Sequence, residues 1–358
     1  MTRTVSTTIA GGSGLRPRLF SVTRRLLGLP TAHFLFRMAD MVAMTRLIGR
    51  SNLIGSVDIT CRCNLQCKHC YFTGQGYTRE LTDAAWVAFF ESLKDTAFPF
   101  YQCSWVGGEP LLRRDLIERL MPYFKSNMVA TNGSIPLPDW RDCNFYVSVD
   151  GTADYYEKMR GNRALYERIK ANINAAPQLK IVAAMCVSRE NYSCIPQLLE
   201  EWRGTAIRGF LFQFYTPTRG TDSVRGQDDS LWPGWELRDH ILDGLIRLKK
   251  KHGDFIVNPV GDLRLMKSER CRPVTDGCLY ARRSYALGPD GRVKRPCMMG
   301  PQADCSRCGC VLPFHMWRLE RENLLLRELH LTVRKMFHSQ RRRRDRLQAQ
   351  TPKQSPTA

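Results

Sequence analysis

From residue 53 to residue 251 the chain repeats one pattern, a short apolar run followed by a stretch with helical periodicity. Residues 53–59, 101–106, 127–131, 144–150, 180–188 and 209–215 read as strands, and 82–95, 114–126, 164–176, 195–202 and 235–251 as helices. In the first helix Thr82 is placed to cap, and Trp86, Val87, Phe89, Phe90 and Leu93 share one face. Strands that alternate with helices at this interval imply parallel crossovers. The predicted fold class is therefore α/β, a partial (β/α)6 TIM-like barrel with a small C-terminal cysteine-rich extension. In such a barrel the functional loops lie at the C-terminal ends of the strands.

With 358 residues the chain can bury one large domain and a small one, and 43% hydrophobic residues with seven tryptophans suit a globular protein. Its net charge of +20 is placed unevenly. Residues 1–50 hold eight Lys/Arg against Asp40, and residues 318–358 hold eleven against four acids, so each end carries +7 and the middle +6. A basic catalytic core would point to nucleic acid; basic flanks point to docking, and no nucleic-acid partner is expected. Leu19, Val22, Leu26 and Leu29 recur at helical spacing among Arg18, Arg24 and Arg25. That pattern fits a helix lying on an anionic membrane surface and equally a cap packed on the barrel, while an organellar transit peptide is a weaker third reading. No apolar run reaches the ~20 residues needed to span a bilayer. The expected segments are 1–50 (basic, amphipathic), 51–254 (barrel), 255–317 (cysteine-rich) and 318–358 (basic helix and polar tail). No signal peptide is recognisable, and thiols with metal spacing suit a reducing compartment. The expected location is the cytoplasm, with contact at the inner face of the membrane as one option.

The loop after the first strand, CNLQCKHCY, offers Cys63, Cys67 and Cys70 in C-x3-C-x2-C spacing. A cubane iron–sulfur cluster normally takes four thiolates, so three leave one iron open to a small molecule. The alternative is zinc, with His69 as a further donor, although zinc sites favour paired C-x2-C units. Cys61 reads as a strand residue and not a ligand.

DITCRCNLQCKHCYF resembles the cluster loop of radical S-adenosylmethionine (SAM) enzymes. The resemblance implies a 4Fe-4S cluster on Cys63, Cys67 and Cys70, with SAM chelated at the open iron and cleaved to methionine and a 5′-deoxyadenosyl radical. Further motifs fall at successive strand ends in the order this family uses. Gly107, Gly108, Glu109 and Pro110 match the stretch that holds the SAM amino group, their glycines leaving backbone N–H and C=O free for a ligand. Thr131, Asn132 and Gly133 match a second position. Ser148 and Asp150 would contact the ribose or methionine part, and Arg160 would pair with the carboxylate. Arg160 as a surface helix residue is the competing reading. The match covers about residues 53–215.

Six cysteines, Cys271, Cys278, Cys297, Cys305, Cys308 and Cys310, crowd the C-terminal region around a Pro-Asp-Gly hairpin turn at 289–291. This looks like the SPASM or twitch extension of the same family, implying a second, auxiliary 4Fe-4S cluster on Cys278, Cys297, Cys305 and Cys308. Cys310 or Cys271 could replace one of these. Five residues separate Gly291 from Cys297 where four are usual. A Cys₄ zinc site is the alternative.

The expected activity is hydrogen abstraction from a substrate C–H bond, of oxidoreductase or transferase type. Expected partners are a small-molecule, lipid or peptide substrate and an electron donor such as flavodoxin or ferredoxin. Basic amphipathic ends favour a lipid-type substrate at a membrane surface; a ribosomal-peptide maturase is the close alternative. A non-catalytic iron–sulfur electron carrier is the rival from another class. No substrate base stands out, with Tyr215, Asp262 and Asp276 merely in plausible regions.

Overall fold

A computed structural model describes residues 19, 22–23, 25–26, 54–96, 98, 102–218 and 229–321. Most of the basic N-terminal segment and residues 322–358 of the C-terminal one lie outside the described residues.

Seven parallel strands form one sheet: β1 (Ile54–Thr60), β2 (Gln102–Gly107), β3 (Ser126–Thr131), β4 (Asn144–Ser148), β5 (Lys180–Val187), β6 (Phe210–Phe214) and β7 (Ser284–Leu287). Their order is β6-β5-β4-β3-β2-β1-β7. The six expected strands are all present, and the α/β partial barrel with its cysteine-rich C-terminal region follows from them. Between them run α1 (Asp83–Leu93), α2 (Arg114–Leu120), α3 (Ala153–Arg160), α4 (Ala164–Asn174), α5 (Ile195–Glu201) and α6 (Trp235–His252). The C-terminal region adds α7 (Val260–Leu265), α8 (Ser268–Asp276), α9 (Leu279–Arg283) and α10 (Leu312–Arg321).

Alternation along the strands separates two faces. Val57 and Ile59, Cys103 and Trp105, Phe145 and Val147, and Ile181 and Ala183 enter the core beneath the helices. Tyr146 and Ser148 on β4 and Ala184 and Cys186 on β5 sit half-buried on the opposite, concave face. Thr82 caps α1 by accepting from the Ala85 N–H at 3.2 Å, and Trp86, Phe89, Phe90 and Leu93 are buried.

The C-terminal hairpin departs from expectation. Its turn forms, with Gly291 at φ 75° and an antiparallel bridge between Leu287 and Val293. Its first arm, however, is β7, which pairs in parallel with β1 from Ile54↔Ser284 to Val57↔Leu287. The arm reads as half of a local hairpin in sequence; burial of all four of its residues comes from the distant strand.

Candidate active site

β1 delivers the chain into the three-cysteine loop, and a fan of hydrogen bonds fixes that loop. Glu80 accepts from the Thr60 hydroxyl at 2.5 Å, the Cys61 N–H at 2.8 Å and Arg62 Nε at 3.1 Å. Cys61 therefore lies just beyond β1, and not within it as expected. Lys68 N–H donates to the Met159 carbonyl, and the Asn64 amide joins Ser134 and Asn132. Burial raises the thiols of Cys63 and Cys67, the latter to about 11, and Cys63 and Cys67 each feel the charge of Cys70. Thiols that resist ionisation alone, as those of Cys63 and Cys67 do, become thiolates when a metal displaces their protons.

Gly107 and Gly108 have a structural cause. A Cβ on Gly107, at φ 123°, would stand 2.4 Å from the Thr60 carbonyl oxygen, and one on Gly108 2.1 Å from that of Arg62. The close approach serves two bonds, Gly108 N–H to Thr60 and Glu109 N–H to Arg62, at 3.0 and 2.8 Å. The Gly108 N–H, expected to stay free for a ligand, is thus spent on the end of β1, and the Glu109 N–H on the three-cysteine loop. Glu109 is fully buried and accepts from the Leu111 N–H, the Thr131 hydroxyl and the Asn132 N–H. Of its roughly four lone-pair directions one on Oε2 stays open, enough for an ammonium donor. Pro110 begins the 3-10 turn Pro110–Arg113. Thr131 and Asn132 are likewise committed within the protein, Asn132 through its N–H to Glu109 and its amide to Asn64.

Asp150 and Arg160 meet each other. Asp150 Oδ2 accepts from Arg160 Nη2 at 2.6 Å and Nε at 2.7 Å, stands 3.1 Å from His69 Nε2, and Oδ1 accepts from the Cys186 N–H. Burial alone would raise the Asp150 carboxyl, yet Arg160 and His69 hold it well below the usual carboxylate range. Arg160 is buried, so the surface reading is wrong; Nη1 reaches Cys67 Sγ at 3.6 Å. Two of its nitrogens are taken by Asp150, leaving Nη1 beside the loop sulfur. Ser148 stays half-buried on the concave face.

His69, read in the sequence only as a further zinc donor, instead ties the loop to Asp150, with Nδ1 buried and unpartnered. A second residue of this network carried no sequence signal. Asp58, on the same face of β1 as Thr60, pairs with Lys294 of the hairpin at 2.5 Å, both buried, leaving Asp58 Oδ1 without a partner. Burial outweighs the lysine and pushes the Asp58 carboxyl up to about 6. Only the fold brings these two together. Asp262 is instead bound by His315 and Arg318, and Asp276 pairs with Arg272 on the surface.

Five of the C-terminal cysteines, Cys278, Cys297, Cys305, Cys308 and Cys310, line one cavity together with Tyr280 and Met299. Cys271 does not line it; its thiol turns to the Ser268 carbonyl. Burial raises the thiols of Cys278, Cys297, Cys308 and Cys310, that of Cys297 to about 11 and that of Cys308 to about 12. Gly309 lets the segment lie against β6, since a Cβ there would stand 1.9 Å from the Phe214 carbonyl oxygen. Among the described residues no three His, Cys, Asp or Glu converge as the ligands of one ion must. Thiols ringing a cavity suit a polynuclear cluster, whereas a single zinc needs its sulfurs at about 2.3 Å.

Comparison with known proteins agrees with this geometry. Residues 57–201 match the model described as the Radical SAM superfamily. Pre-heme d1 synthase of Dinoroseobacter shibae is 28% identical over 185 residues, 48% of this chain and 45% of that protein. Fe-coproporphyrin III synthase of Methanosarcina barkeri is 26% identical over 212 residues, 54% and 52% of the two. The match spans about half the length of these curated relatives. SuiB of Streptococcus suis, solved with S-adenosylmethionine, has the same fold at TM-score 0.52 and 15% identity, covering 76% of this chain and 65% of that one. SuiB bound to its precursor peptide SuiA gives TM-score 0.50 and 13% identity, covering 80% and 69%.

Proposed function

Through residues 57–201 the chain belongs to the radical SAM superfamily, and on that premise we propose that it reductively cleaves SAM and abstracts hydrogen from a substrate C–H bond. A 4Fe-4S cluster on Cys63, Cys67 and Cys70 would supply the electron that splits the SAM sulfonium to methionine and a 5′-deoxyadenosyl radical. The observation that carries this reading is the fixing of that loop at once to Gly108–Glu109, Asn132 and Arg160. Glu109 Oε2, at its open lone pair, is the acceptor for the SAM ammonium. Arg160 Nη1, beside Cys67, is the donor for its carboxylate, held in place by the Asp150 pair. Ser148 and Asp150 line the side of the ribose and methionine. Replacing Cys63, Cys67 or Cys70 with Ala should abolish SAM cleavage after anaerobic reconstitution; wild-type cleavage in any of the three sinks the reading.

The cavity cysteines would hold an auxiliary cluster, with Cys310 joining Cys278, Cys297, Cys305 and Cys308 as a candidate ligand. This cluster would take an electron from the substrate-derived radical, and flavodoxin or ferredoxin would reduce the first one. For the substrate, Leu19, Val22 and Leu26, exposed at helical spacing, favour a lipid-type compound met at a membrane surface. No described helix is long and apolar enough to cross a membrane. Co-sedimentation with anionic liposomes tests docking, and failure of the full chain to bind removes the lipid reading. A peptide substrate is the alternative, supported by the fold shared with SuiB. A SAM-insensitive iron signal would instead favour a non-catalytic electron carrier.

A further inference from the structure

Arg238, on α6, is fully buried. The rings of Phe214, Trp232 and Trp235 stand 5.1, 5.6 and 5.2 Å from its guanidinium carbon. Nη1 donates to the Cys308 carbonyl at 3.0 Å, while Nε and Nη2 have no hydrogen-bond partner. Among the described residues no carboxylate is therefore hydrogen-bonded to this guanidinium. Asp239, next in the chain, accepts from the Ser268 N–H and hydroxyl instead.

A buried guanidinium without a counter-ion is costly. Aromatic faces attract it by roughly 0.5–2 kcal/mol each but leave its charge uncancelled. The missing negative charge belongs next door. Cys308 lines the five-cysteine cavity, and metal-bound thiolates there carry net negative charge where free thiols carry none.

We propose that Arg238 is the fixed counter-charge of the auxiliary cluster. It is a positioning residue that holds the Cys308 backbone and favours the more negative, reduced state of that cluster. The step it promotes is uptake of one electron by the cluster, with no bond made or broken. In the enzyme that electron comes from the substrate-derived radical, and in the test from a redox mediator. The proposal rests on the reading that these cysteines hold an iron–sulfur cluster.

The test is a mediated redox titration followed by electron paramagnetic resonance. It uses the full chain with Cys63, Cys67 and Cys70 replaced by Ala, so that only the auxiliary signal stands. Arg238→Met should either lose that cluster or hold it with a reduced-to-oxidised ratio about tenfold lower at a fixed potential, equivalent to 59 mV for one electron. Arg238→Lys, which keeps a cation among the same rings, should retain the cluster with a ratio nearer the parent's than that of Arg238→Met. Lys and Met variants that behave alike in iron content and midpoint overturn the role of Arg238, whether both match the parent or both lose iron. A parent chain that binds no iron at these cysteines overturns the cluster reading itself, and the proposal with it.

Discussion

A methyl group on Gly108 would overlap the Arg62 carbonyl oxygen at 2.1 Å and press on Cys63 Cβ at 3.2 Å. Both are on the cysteine loop, so Gly108→Ala should cut SAM cleavage at least tenfold by shifting that loop. Gly244→Ala is the control, because a Cβ there meets only the end of Arg247 at 3.9 Å within a helix. It should leave cleavage unchanged and add about 0.5–1 kcal/mol of stability. Asp58 gives a pH signature. Its folded pKa, about 6, lies above the ordinary 3.8 because of burial. The folded state binds the extra proton between those values, so this contribution is present below pH 3.8 and lost as pH rises through about 6. Relative to Asp58→Asn, wild-type urea midpoints should fall across that window; parallel profiles would remove Asp58 as the titrating group. The motif residues were visible in the sequence, whereas their partners were not. Glu80, Asn64 and Lys294 are ordinary polar residues whose meaning appears only when strand ends come together.

Glu109 ties two strand ends, taking one N–H from its own turn and two donors from the end of β3. Glutamine in its place turns an amide N–H₂ toward at least one of these donors. A buried donor left unpaired costs about 1–3 kcal/mol. Glu109→Gln should therefore speed hydrogen exchange at the Asn132 amide while leaving Phe212, which donates to Asn258, unaffected. Equal acceleration at both would indicate global unfolding instead. At this scale the six barrel strands were legible because apolar runs and helical periods report local structure faithfully. β7 was legible only as a hairpin arm, since its partner β1 stands at the opposite end of the described sheet sequence. The fifth cavity cysteine, Cys310, was blurred for a similar reason: spacing rules count residues along the chain, while Gly309 folds that stretch against β6.

For the whole molecule, the sheet joins the two cysteine sets through β1, which carries one set at its end and pairs with β7 just before Cys297. Removing residues 284–358 would bare one edge of β1, a buried strand whose unpaired N–H and C=O groups invite association. The truncated chain should elute as aggregate in size-exclusion chromatography where the full chain does not; a monodisperse product would show that β7 is dispensable. The same pairing sets an order of events during synthesis. Of the described strands β1 is the first to leave the ribosome and β7 the last, and at about 5–20 residues per second the interval from β2 to β7 lasts roughly 10–40 s. Through that interval the strand that ends in the three-cysteine loop is held along one side only. A nascent chain stalled before Leu287 would thus carry its first cysteine set in an unfinished sheet, and iron delivered then would meet a loop whose strand is still half-anchored.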